Sequence, residues 1–253
     1  MVAAPSPPYV GPAKFHGTRS NKPLRRVVIH GTVSPCAPGG ARSIAAYFRK
    51  TVTRPSSAHY VVDPGEVVQV VFDSWVAYHA PPNSGSIGVE LCDPVAGSPA
   101  RWKDANHVAM LARAAHLVAG LCLAYGIPLR KVGPAGLRIG RRGICGHVDV
   151  SNAWHQTTHT DPGAGFPWDQ FMALVKEEAK KIRDAQSPSG PVSPPPPPVD
   201  PGKPEPPTDV ARFHDECRRL IIKYLDPAIA DGRDDVRAVR KAIADQLHKM
   251  PAR

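Results

Sequence analysis

Hydrophobic and polar positions alternate at two periods along the first two thirds of the chain. Val27-Val28-Ile29 is a β-branched run that ends at His30 and meets Gly31, Thr32, Pro35, Pro38, Gly39 and Gly40. This predicts a buried strand that hands a histidine to its exit loop. From Ser43 to Thr51, Ile44, Tyr47 and Phe48 recur at helical spacing. The runs His59–Val62 and Val67–Phe72 flank Asp63-Pro64-Gly65-Glu66, and that turn chemistry predicts a hairpin. Short strands follow from Trp75 to Ala80 and from Ser86 to Cys92. In the second, period two places Glu90 opposite Ile87, Val89 and Leu91. From Asp104 to Tyr125 the period becomes 3.6, with Val108, Leu111, Ala112, Ala115, Val118, Ala119 and Cys122 predicted to share a face and Gly126 to stop the helix. Gly143 to Val150 reads as extended, Ser151 to Gly165 as a polar loop, and Trp168 to Asp184 as a helix. Interleaved strands and helices predict an α/β fold with a central mixed sheet flanked by helices.

The pattern then breaks. Eleven of the 30 prolines lie between Ser187 and Pro207, including Pro194 through Pro198 without interruption. A polyproline II course over such a stretch reaches about 65 Å at roughly 3.1 Å per residue. Beyond it, Val210, Phe213, Cys217, Leu220, Ile221 and Tyr224 form one apolar helical face, and Val236, Val239, Ile243, Leu247 and Met250 a second. The layout expected is an N-terminal extension (1–24), a main α/β domain (25–186), a linker (187–207) and a small C-terminal helical hairpin (208–253). Such a hairpin has too little core to stand alone, which favours self-association through these helices or docking on a partner.

Composition narrows the function classes. With 42% apolar and 21% charged residues in 253, a wholly disordered chain is excluded. The net charge of +10 lies mostly in residues 1–186, which hold 21 Lys and Arg against 12 Asp and Glu. That excess suits a polyanionic partner. Nucleic acid, acidic lipid or an anionic cell-wall polymer would each fit, and without interleaved aromatics or a helix-turn-helix pattern only the sign of the partner follows. The five cysteines, at 36, 92, 122, 145 and 217, form no CxxC pair and read as buried thiols. Neither a signal peptide nor an 18-residue apolar run is visible. The expectation is synthesis in the cytoplasm without a membrane span, with any action outside the producing cell depending on something else to carry the protein across the membrane.

Among eleven histidines, His30 and His147 stand out by position, with Asp161 in Thr160-Asp161-Pro162-Gly163. Two imidazoles and a carboxylate make a catalytic zinc set with a coordination position left open. Spacing alone leaves alternatives: Asp161 as a turn residue, Asp149 as a rival carboxylate or as a brace for His147, and Cys145 as a further ligand.

Six blocks occur in the order found in zinc N-acetylmuramoyl-L-alanine amidases. They are Val27–His30, His59–Asp63, Ala77–Ala80 with Asn83, Ser86–Leu91, Gly146–Val150, and Thr160–Gly163 followed by Phe166-Pro167-Trp168. The sequence thus resembles the family that includes phage lysozyme-like amidases and peptidoglycan-recognition proteins, over about 60% of the chain. The linker and added module are similar to those of endolysins from actinobacterial phages. The resemblance implies one Zn²⁺ bound by His30, His147 and Asp161, with Glu90 as acid and base. It implies bacterial peptidoglycan as substrate and partner, cut between N-acetylmuramic acid and L-alanine, with no nucleic acid partner, with action on the cell wall after membrane permeabilisation, and with residues 208–253 as an oligomerising or wall-targeting module. His159 stands where many relatives carry a lysine, which makes it the expected oxyanion donor, with His155 as rival. His79 and Asn83 are expected to touch substrate, and His59 to be a core histidine. The alternative function is a non-catalytic muropeptide-binding module on the same fold, whose sign would be a missing zinc ligand.

Overall fold

The computed structural model describes residues 4–19 and 23–186. The expected linker and C-terminal helical hairpin lie outside the described residues. Along the chain, β1 (His16–Thr18) and β2 (Arg26–Gly31) precede α1 (Gly40–Lys50), followed by β3 (Tyr60–Val62), β4 (Val67–Gln69), β5 (Trp75–Ala77) and β6 (Ser86–Leu91). Then come α2 (Ala105–Ala124), α3 (Pro134–Arg138), β7 (Gly143–Gly146), α4 (His147–Trp154) and α5 (Trp168–Gln186).

The main sheet has the order β4-β3-β6-β2-β7. Only the β3–β4 hairpin is antiparallel, so the sheet is mixed, as the sequence predicts. Its turn is tied by Asp63, whose carboxylate accepts from the backbone of Gly65, Glu66 and Ala41. The run predicted from Trp75 to Ala80 is shorter than expected and leaves the main sheet to pair with β1.

Both faces of the sheet are covered, which suits its parallel centre. Val27, Ile29, Ile87, Val89 and Leu91 join α2 and α5 in the main hydrophobic core. Val28 points the other way, into a second cluster with Cys145, Leu137 and Val150 beside α3 and α4. His30, two residues after Val28, lies on this second face at the strand's end.

Asp104 caps α2 by accepting from His107 N at 2.9 Å, and Gly126 follows the helix at φ +60°. Two residues of the expected apolar face are outside it: Val108 and Ala112 are exposed, while His107, Met110, Ala114 and Leu117 are buried. The inward stripe is displaced because the sheet and α5 together cover a broader sector than a single face supplies. By length and hydropathy (mean 1.5) α2 would suffice to cross a membrane. In this fold it is a core helix, with Leu111, Val118 and Leu121 fully buried in the main cluster.

Candidate metal centre

The parallel strands β2 and β6 deliver His30 and Glu90 side by side, paired in register at their C-terminal ends. The neighbouring β7 ends at Gly146, and the chain turns at once into a helix with His147 as its first residue. This corrects the extended reading of Gly143–Val150, and the loop expected from Ser151 begins only after Trp154. The cause is local. Asp149 Oδ2 folds back to accept from Gly146 N at 2.7 Å and from Lys131 Nζ at 2.5 Å. A carboxylate in the first turn favours helix over strand despite the alternating pattern. The Asp149 carboxylate is thus engaged in bracing the turn into His147.

Asp161 completes the group. Its Oδ2 lies 3.0 Å from His30 Nδ1 and its Oδ1 3.3 Å from His147 Nδ1. One ligand atom from each of the three falls within 4.8 Å of the others, and all three residues are buried. Both imidazoles turn Nδ1 inward, and their Nε2 atoms are held from behind. His147 Nε2 lies 3.2 Å from Thr157 Oγ1, which is 2.6 Å from Ser151 Oγ. His30 Nε2 lies 3.0 Å from His79 Nδ1.

Electrostatics suit a cation. Burial alone would raise the Asp161 carboxyl, but its contacts with His147 and His30 outweigh this and hold it well below the usual carboxylate range. Burial lowers His147, so its ring is a neutral donor at neutral pH. Two buried nitrogens and a carboxylate converging with fixed back-side hydrogen bonds fit a tetrahedral divalent ion such as zinc. Glu90 stands next to this group. Its Oε2 is sealed from solvent with no hydrogen-bond partner, and burial, then Asp161, push its pKa up to about 8.

The remaining expected residues divide. His159 stacks on His147 with ring centroids 4.4 Å apart and planes within 10°, and its Nδ1 is 3.4 Å from Asp161 Oδ1. Its side chain is 64% exposed, and it lines the groove above the centre. His155 caps the end of α4 at φ 54° and is not among the groove residues. His79 and Asn83 line the groove, but His79 is almost wholly buried, and Asn83 Oδ1 accepts from the backbone of His79 and Ala80 at 3.1 and 2.8 Å. His59 is the expected core residue, accepting from Gly88 N at 3.0 Å. Cys145 lies in the second hydrophobic cluster, its thiol pushed up to about 12 by burial. Thr157, Ser151, Ser86 and Lys131 went unforeseen, because a hydroxyl or amine that supports a ligand has no spacing rule to betray it.

The groove holds about 820 Å³ and runs from His30, His147 and Asp161 past Tyr78 and Val95 to Tyr47, Phe48 and Pro55. It is open to solvent and lined mainly by apolar surface above a polar floor, which suits an extended substrate.

Comparison with known proteins agrees with this layout. The N-acetylmuramoyl-L-alanine amidase family matches residues 20–164. A probable N-acetylmuramoyl-L-alanine amidase of Bacillus licheniformis is 32% identical over 175 residues, covering 63% of this chain and 41% of the relative. The amidase CwlL of the same organism is 32% identical over 146 residues, covering 51% and 35%. The chain therefore spans well under half the length of either relative. The fold is similar to that of the Staphylococcus aureus hydrolase AmiA, solved in complex with its ligand. The TM-score is 0.56 at 18% identity, over 73% of this chain and 87% of that one.

Proposed function

Because this chain belongs to the N-acetylmuramoyl-L-alanine amidase family, we propose that it is a zinc-dependent peptidoglycan hydrolase that cuts the amide between N-acetylmuramic acid and L-alanine. The observation that carries this reading is the convergence of His30, His147 and Asp161 beside the in-register Glu90, at the floor of an open groove.

His30, His147 and Asp161 hold the ion in this reading. The chemistry a bound zinc supplies is Lewis acidity toward a carbonyl oxygen and toward water. Glu90 does the proton work: its carboxylate, held by no competing hydrogen bond at Oε2, takes a proton from the attacking water and returns it to the leaving amine of L-alanine. A carboxyl pushed toward neutrality can do both, since neither its acid nor its base form is costly there. A bound cation draws that pKa down again and favours the base form at the start of the cycle. His159 is assigned donation to the developing oxyanion. Burial, then His147, lower its pKa, so it acts as a neutral ring with one N–H. Asn83 shapes the groove wall through the backbone it caps, a supporting part in place of the direct substrate contact first expected.

In the same proposal the enzyme acts on the bacterial wall, and residues 187–207 and 208–253 serve as spacer and as wall-binding or self-associating module. The role in host lysis expected from the endolysin-like layout belongs here too. The test is digestion of purified peptidoglycan by zinc-loaded and chelator-stripped protein, with mass spectrometry of the products. Zinc-dependent release of stem peptides that begin with free L-alanine, from intact glycan, supports the amidase. Bound but uncut peptidoglycan would favour a muropeptide-binding module.

A further inference from the structure

His79 sits where two buried rings and a buried hydroxyl meet. Its Nδ1 is 3.0 Å from His30 Nε2, and its Nε2 is 3.1 Å from Ser86 Oγ. Ser86 Oγ also donates to the carbonyl oxygen of Asn83 at 2.8 Å. A carbonyl can only accept and a hydroxyl has one proton, so with that proton committed Ser86 Oγ accepts from His79 Nε2–H. The His79 ring is buried, and its ring nitrogens meet an imidazole and a hydroxyl with no carboxylate to balance a second proton, so it carries a single one. Its Nδ1 is therefore a lone pair, and His30 donates to it from Nε2. What remains on His30 is Nδ1, which faces Asp161 Oδ2 at 3.0 Å. A lone pair opposite a carboxylate is repulsive unless a proton or a metal ion lies between them, so Nδ1 is the position at which a metal ion replaces a proton.

We propose that His79 and Ser86 form a positioning relay that sets the tautomer of His30, so that Nδ1 and not Nε2 is the nitrogen offered to the metal ion. The proposal rests on the zinc reading above for the identity of that ion. It also changes the part assigned to His79, from touching substrate to orienting a ligand from behind.

The local backbone is built around this relay. Asn83 closes it at both ends: its side chain accepts from His79 N, and its carbonyl takes the Ser86 proton. Gly88 makes room for the ring, since a Cβ there would lie 2.6 Å from His79 Cγ. Gly88 is itself pinned, because its N–H donates to His59 Nδ1 at 3.0 Å. A displaced His79 ring would leave buried polar atoms unpaired, which costs more than the hydrogen bonds themselves contribute.

Nitrogen-15 NMR of the histidine rings in the full chain, metal-free and zinc-loaded, tests this, together with zinc affinity measured by competition with a chromophoric chelator. The expected spectrum has His79 protonated at Nε2 in both states, and His30 protonated at Nε2 with zinc on Nδ1. Ser86→Ala removes the acceptor behind His79, and is expected to mix the His79 tautomers and weaken zinc binding by about 10- to 100-fold. Gly88→Ala crowds the ring and should weaken zinc binding by a route independent of the hydroxyl. Zinc on His30 Nε2, or a His79 proton on Nδ1, overturns the relay, and the unmutated protein alone decides this if a variant fails to fold. Unchanged affinity and unchanged tautomers in a folded Ser86→Ala protein overturn it as well. Unmutated protein that binds no zinc overturns the zinc reading instead, and its metal-free spectrum still decides whether His79 and Ser86 hold His30 as described.

Discussion

His30 and Glu90 occupy paired register positions on adjacent parallel strands, so the proposed ligand and the proposed proton carrier leave the sheet on the same face at the same level. Side chains directly across a strand pair lie roughly 5 Å apart at Cβ. The backbone itself therefore holds the two together, without reliance on a loop.

Glu90→Gln keeps size and shape but abolishes proton transfer. Zinc content should be unchanged and turnover should fall by about 10²-fold or more, in line with the usual contribution of a positioned acid or base. Near-normal turnover in the zinc-loaded variant would rule Glu90 out.

Removing any of the three ligands leaves two donors facing a site built for three. His30→Ala, His147→Ala and Asp161→Ala should each lose stoichiometric zinc and hydrolysis together, and chelation of the unmutated protein should reproduce the loss and be reversed by added zinc. Metal analysis after dialysis against a chelator provides the check, and full retention of zinc by any one variant would remove that residue from the set.

Only one of the two candidate oxyanion donors faces the groove. His159→Lys should retain measurable activity, since it keeps an N–H donor, whereas His159→Ala should lose about 10²-fold in kcat. His155→Ala should be close to neutral for hydrolysis; a collapse of kcat in that variant would reverse the assignment.

His59 is neutral in the folded chain: burial, then Arg19, lower its pKa from 6.5 to about 3. Below pH 6.5 the unfolded chain takes up a proton that the folded ring refuses, so stability falls as the pH drops from about 6.5 toward 3. The slope from one such group approaches 1.4 kcal/mol per pH unit, an order-of-magnitude figure. Urea denaturation of metal-free protein at pH 4 to 7 should show a shallower slope for His59→Gln, and identical slopes would contradict the assignment.

Asp149→Ala removes the acceptor that starts α4, leaving Gly146 N and Lys131 without it. A loss of roughly 1–3 kcal/mol is expected from the unpaired buried group. Zinc affinity should weaken as well, because His147 is the next residue along. Thermal denaturation and zinc competition measure the two effects, and a stable variant with weak zinc would separate them.

Much of the framework could be read along the chain. The β-branched run ending at His30, the period-two pattern that isolates Glu90 from Ile87, Val89 and Leu91, the Asp-Pro-Gly-Glu turn and the glycine stop at Gly126 are all local signals, and each corresponds to an observed element. The family resemblance supplied the three ligands. The helix at His147 was hidden, because Gly146-His147-Val148-Asp149-Val150 alternates like a strand. One side-chain to backbone hydrogen bond from Asp149 outweighs that alternation.

By itself, then, the sequence determined the strands, the turns and the residue types that could bind an ion, because these follow from neighbours a few positions apart. Tertiary structure decided which atoms meet. His30 and Asp161 are 131 positions apart, and only parallel pairing of β2 with β6 and β7 brings their loops to one end of the sheet. It also chose His159 over His155 at the groove and placed His79 behind His30. Those choices depend on burial and on the direction of single hydrogen bonds, and neither leaves a period in the chain.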